Sequence, residues 1–322
     1  MLLQADEIRG VYAIIPTPSK DGADHWSATD TVDLEESERL VNQLIADGAS
    51  GLIAMGTTGE CATLTEDEWR SFTDVVLTTA GGRVPTFIGA TTLGTHQTVS
   101  RLRFAKEQGA TGTLLGLPMW QPCTEDMAVR FFESMSEAFP DLAIMIYMNV
   151  RAFRFDFPAS FWSRVEKAAP TVTSAKYTRS VSFTELVNAV NNRINLMPMD
   201  ATAYGYAQEK PESVTACWTT AASMGPHPSI ALMKAIAERN WDLAKAIDSE
   251  LAWATETFLP PDPAEFAFYN IQLEKIRMDA SGYCKAGPLR PPYDIVPPEY
   301  EERARECGRR WTELEKKYSG QG

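Results

Sequence analysis

The 322-residue chain carries 43 acidic against 30 basic side chains, a formal charge of −13, which argues against a nucleic-acid surface and against binding to anionic membranes. Its five cysteines and three histidines are scattered, with no CxxC pair, so neither a disulfide framework nor a zinc site is signalled and no metal is expected. The first residues turn acidic before a signal-peptide core forms, and no apolar run reaches about 18 residues; the expectation is a cytoplasmic protein with reduced thiols.

From residue 10 onward, short apolar runs alternate with amphipathic stretches. Residues 11–15 read as a first strand and 32–46 as a helix, with Asp30 or Thr31 near its start and Gly48 just past its end. A second strand, 51–55, runs into Gly56, Thr57, Thr58 and Gly59, and Thr65 with Glu68 has the capping-box form ahead of the next helix. Strand 84–88 with helix 95–108, strand 112–117 with helix 124–138, and strand 143–147 with helix 158–168 continue the alternation. Residues 172–178 with 182–191 make the sixth unit, 194–199 with 201–208 the seventh, and 214–218 with a helix beyond Pro228 the eighth. Eight such units between residues 11 and 240 are the arithmetic of an α/β fold of the (β/α)8 TIM barrel kind. A doubly wound sheet is the rival, but no GxGxxG follows the first strand. After residue 240 the strand signals stop, and 241–258, 264–280 and 298–318 read as helices broken by proline-rich 260–263 and 286–293. The expected organisation is a barrel catalytic domain over 1–240 and a helical C-terminal extension over 241–322.

In such a barrel the active site lies at the C-terminal ends of the strands. Those ends carry Gly56, Thr57 and Thr58, Tyr147, Lys176, Asp200 and Trp218. Lys176 sits in a β-branched run where every second side chain is buried, and an ammonium leaves water at high cost. The ordinary reading is an exposed strand-end lysine. The alternative is a desolvated amine of lowered pKa, able to attack a ketone carbon and form an imine. The two threonines between glycines allow close approach of a ligand and offer donors suited to a carboxylate, although a plain strand-to-helix turn has the same composition. Tyr147 is either a core aromatic or a proton-shuttling phenol one strand from Lys176. Trp218 reads first as packing, and Asp200 as a cap for the helix after strand seven.

Gly56-Thr57-Thr58-Gly59-Glu60, Tyr147 and Lys176 together resemble the pyruvate-dependent class I aldolases and lyases of the dihydrodipicolinate synthase and N-acetylneuraminate lyase superfamily, over residues 10–240. The resemblance implies that Lys176 forms a Schiff base with a 2-oxo acid, that Tyr147 relays protons, and that Thr57 and Thr58 hold the carboxylate. It implies no cofactor beyond that covalent imine. Synthase members carry a tyrosine pair after the proline that ends strand four; here Pro118 is followed by Met119 and Trp120, a departure that suits a mouth for an aromatic substrate. Residues 56–65, 117–120, 155–158, 269–275 and 285–293 are similar to the hydratase-aldolase branch, whose members cleave trans-o-substituted benzylidenepyruvates in naphthalene and phenanthrene breakdown. That branch implies a small-molecule aromatic 2-oxo acid as partner, with Trp218 and Asn270 as substrate or water contacts, and a homo-oligomer, either trimer or tetramer; Trp120, in the departure after Pro118, is expected at the substrate-binding mouth. The ortho substituent, hydroxyl or carboxylate, stays open; Arg151 and Arg154 are candidates for a second carboxylate and equally for solvated loop cations. Another pyruvate-dependent lyase, such as a synthase or a sugar-acid aldolase, is the alternative activity. A non-catalytic 2-oxo-acid-binding barrel is the alternative class.

Overall fold

The computed structural model describes residues 2–320 except 179, 180 and 263. Met1, the last proline of the 260–263 break and the final two residues of the extension therefore lie outside the described residues. The eight strands are β1 (Gly10–Ile14), β2 (Gly51–Ala54), β3 (Thr86–Gly89), β4 (Gly112–Leu115), β5 (Ala143–Tyr147), β6 (Val172–Lys176), β7 (Asn195–Met197) and β8 (Ala216–Thr219). They pair in parallel, in the order β7-β6-β5-β4-β3-β2-β1-β8. The seam between β7 and β8 is closed by a parallel bridge of Met199 with Trp218, whose amide donates to the Pro198 carbonyl at 2.9 Å. Most strand residues are buried on both faces, which is why they read as apolar runs and not as alternation: side chains fill the barrel within and helices cover it without.

The covering helices are α1 (Leu34–Ala46), α2 (Glu66–Ala80), α3 (Thr95–Glu107), α4 (Glu125–Ala138), α5 (Val150–Phe153), α6 (Ala159–Ala168), α7 (Phe183–Ala189), α8 (Asp200–Glu209) and α9 (His227–Ala237). The Thr65–Glu68 capping box forms as expected at α2. Helix α1 begins later than expected, because Asp33 and neither Asp30 nor Thr31 caps it, accepting from the Glu36 amide at 3.0 Å. Val32 is held in an antiparallel bridge to Ser19, and the Thr31 amide donates to Glu68 at 2.8 Å. Helix α5 was not expected; four residues capped by Asn149 are too short to show a period.

Beyond the barrel come α10 (Trp241–Thr255), α11 (Phe266–Ser281) and α12 (Pro298–Tyr318), with α12 packed on α9, α10 and α11. No helix among the described residues is long and apolar enough to cross a membrane. A buried charge cluster ties this extension to the turn after β2. Glu60, fully buried at φ 52°, accepts from the Lys275 ammonium at 2.9 Å, and from the guanidinium and the amide of Arg290. Lys275 also donates to Ser19 and to the Pro288 carbonyl. Removing one member of a buried ion pair strands the rest, at a typical cost of about 3–5 kcal/mol. Glu60→Gln, which leaves two buried cations without their counter-charge, is therefore expected to lower the unfolding free energy by that amount in urea titration; a loss below about 1 kcal/mol would mean that neighbouring dipoles carry those cations unaided.

Candidate active site

The strand ends converge on a cavity of about 500 Å³ at the C-terminal mouth of the barrel, lined by Gly56, Thr57, Thr58, Tyr147, Lys176, Asp200 and Trp218 together with Asn270, Glu274 and Arg277 from α11. Lys176 projects from the last position of β6 and is only 8 % exposed. Its Nζ lies 3.3 Å from the centre of the Trp218 ring and 5.1 Å from that of Tyr147. Burial lowers its pKa to about 7, with the carboxylate of Glu274 acting in the opposite sense. A substantial share of the lysine is thus a neutral amine near neutrality, which is not so for an exposed lysine. Trp218 is fixed by its own indole N–H, which donates to the Tyr177 carbonyl at 3.0 Å.

The Tyr147 hydroxyl is 2.7 Å from the Thr57 hydroxyl and accepts from the Asn149 side-chain amide at 3.2 Å. Burial raises its pKa, those two hydrogen bonds opposing, so the phenol is kept protonated. The turn from Gly56 to Gly59 brings Thr57 to this point. A Cβ at Gly59 would stand 2.8 Å from the Met55 nitrogen, so only glycine lets the chain fold back that tightly. The Thr17 hydroxyl pins the turn through the Gly59 carbonyl at 2.8 Å. The amides of Thr58 and Gly59 have no acceptor among the described residues, and with the threonine hydroxyls they form a donor set suited to an anion.

Residues 24–293 match the Dihydrodipicolinate synthetase family. The chain belongs to this family. It is 43% identical over 324 residues, covering 99% of this chain and 96% of the other, to a trans-o-hydroxybenzylidenepyruvate hydratase-aldolase of Pseudomonas aeruginosa. It is 36% identical over 317 residues, 97% and 95% of the two chains, to a trans-2'-carboxybenzalpyruvate hydratase-aldolase of Nocardioides sp. (strain KP7). The structure of PhdJ bound to a substrate intermediate superposes with a TM-score of 0.95 at 38% identity, covering 98% of this chain and 99% of that one.

Not every candidate residue faces the cavity. Trp120 is 78% exposed and takes no part in the cavity wall. Arg154 donates to the carbonyls of Met119 and Trp120 and is thereby turned to holding the loop after β4. Arg151 does line the cavity. Asp200 opens α8 from its first turn, the N-cap position being Met199; its carboxylate accepts from the Ala201 amide at 2.8 Å and the Ser229 hydroxyl at 2.7 Å, and burial raises its pKa. Among the wall residues not anticipated are the polar Asn149, Thr220, Glu274 and Arg277. The strand-end rule reaches Asn149, two residues past β5. Glu274 and Arg277 stand four and seven residues beyond Asn270, the spacing of one helix face.

Proposed function

We propose that the protein is a Schiff-base hydratase-aldolase, converting a trans-o-substituted benzylidenepyruvate and water into an aromatic aldehyde and pyruvate. The observation that carries this reading is Lys176, buried with a pKa near 7 beside Tyr147 and the Gly56–Gly59 turn; the named activities of the full-length relatives agree with it. In this reading the neutral amine of Lys176 adds to C2 of the 2-oxo acid and water leaves, while Thr57, Thr58 and the turn amides bind the carboxylate. The protonated imine withdraws electrons through the conjugated double bond and makes the benzylic carbon electrophilic. Water adds there. Tyr147 then takes the proton of the new hydroxyl, passing its own through Thr57 to the bound carboxylate, as the C3–C4 bond breaks; the aldehyde leaves, and the remaining enamine is protonated and hydrolysed to pyruvate. Lysine chemistry of this kind needs no external cofactor. The barrel over 1–240 acts as the catalytic domain, with α11 of the extension supplying one wall. A cytoplasmic homo-oligomer, trimer or tetramer, completes the proposal, its mass to be read by light scattering.

The test is to follow pyruvate release from the o-hydroxy and o-carboxy benzylidenepyruvates. Release from neither would remove the proposal, and the ratio of the two rates assigns the ortho substituent. Imine formation requires the unprotonated amine, so its rate with pyruvate is expected to rise with pH and level off above about 7. A rate still climbing at pH 9 would show an ordinary solvated lysine.

A further inference from the structure

Hydration of the conjugated imine needs a group to take a proton from water at the benzylic carbon, and Tyr147 is committed to the later cleavage. We propose that Glu274 is that base, with Asn270 holding the same water; this rests on the hydratase-aldolase reading above. Asn270 and Glu274 stand one turn apart on the face of α11 that lines the cavity. The Asn270 Oδ1 is buried with no hydrogen-bond partner among the described residues, an arrangement that costs free energy unless a donor enters the cavity. Glu274 has one oxygen occupied and one half free. Its Oε2 accepts from Arg277 Nε at 2.9 Å and Nη2 at 2.7 Å, whereas Oε1 accepts, among the described residues, only the Thr220 hydroxyl at 3.1 Å. Two acceptors on one face, each with a lone pair to spare, match the two hydrogens of a single water and leave its own lone pair directed at substrate.

The other acid in the wall is less suited. The Asp200 carboxylate is taken by the Ala201 amide and the hydroxyls of Ser229 and Thr219, and burial favours its protonated form. Arg277 and Thr220 hold the Glu274 carboxylate in one orientation, so they are positioning residues. The step balances. The water oxygen bonds to C4, the C3=C4 electrons move to make the C2=C3 enamine, and the water proton passes to Glu274. C3 then takes up a proton and Glu274 gives one up, so that one molecule of water has been added and nothing is oxidised or reduced.

The experiment compares two reactions of the variant Glu274→Gln that share the Lys176 imine: turnover of the benzylidenepyruvate, which needs hydration, and cleavage of the already hydrated 4-hydroxy-2-oxo acid, which does not. Because both pass through the imine, any effect of the lost charge on Lys176 cancels in their ratio. The ratio of turnover to cleavage is expected to fall by about 10²–10⁴ relative to the parent. An unchanged ratio, whether both rates hold or both drop together, overturns the assignment. Should Arg277, left unpaired, prevent folding, Glu274→Gln combined with Arg277→Met removes both charges and the same ratio decides. A parent enzyme that neither cleaves the hydrated acid nor forms a borohydride-stable adduct with pyruvate would overturn the hydratase-aldolase reading itself, and this one with it.

Discussion

Lys176→Arg is expected to reduce turnover below detection while leaving the unfolding midpoint close to that of the parent. The lysine's value lies in losing its proton. Burial brings its pKa to about 7, whereas a guanidinium stays charged at every pH that the fold tolerates and has no lone pair for a carbonyl carbon. Arginine is also a fair structural substitute, because the Trp218 ring, 3.3 Å from the ammonium, stabilises a guanidinium as readily. The stringent measurement is borohydride reduction in the presence of pyruvate, followed by mass spectrometry. The parent should carry a reduced adduct on the peptide containing residue 176 and the variant none. An adduct on the variant at parental yield would place the nucleophile elsewhere and end the Schiff-base role for this residue.

The barrel could be read from the chain because its strands are apolar runs, most of them closed by glycine or proline, that alternate regularly with helical stretches, several of them amphipathic and capped, and these local rules agree with one another. The same regularity located half of the site. Once β2, β5 and β6 are placed, the geometry of a parallel barrel sends Thr57, Tyr147 and Lys176 to one mouth without further information. The other half comes from α11, where no such rule operates. Ile271, Gln272, Leu273, Glu274, Lys275, Arg277 and Met278 are all buried, so the helix has no polar face from which a direction can be read. Its charges point to different ends: Lys275 to Glu60 beneath the turn, and Glu274 with Arg277 to the cavity. Only the assembled structure separates them. Trp120 shows the converse, a bulky side chain beside the site in sequence that turns to solvent in the fold.

Tyr147→Phe separates making the imine from breaking the carbon–carbon bond, and cleavage is expected to bear the loss. The ring itself is held by an edge-to-face contact with Phe153, centroids 5.5 Å apart, which phenylalanine retains. What disappears is the oxygen between Thr57 and Asn149. Since burial keeps the phenol protonated, it can accept the proton of the substrate hydroxyl only by passing its own proton on, and the Thr57 hydroxyl at 2.7 Å is in reach to relay it, handing its own proton to the bound substrate carboxylate. A positioned acid–base group of this kind contributes about 10²–10⁴-fold, or about 3–5 kcal/mol of barrier. Cleavage of the hydrated 4-hydroxy-2-oxo acid should fall by that factor in the variant, while borohydride trapping with pyruvate falls much less. Equal losses in both assays would instead make the phenol a partner in imine formation or a packing element. Cleavage at the parental rate would return Tyr147 to the barrel core, because a proton that finds another route at no cost never depended on this oxygen.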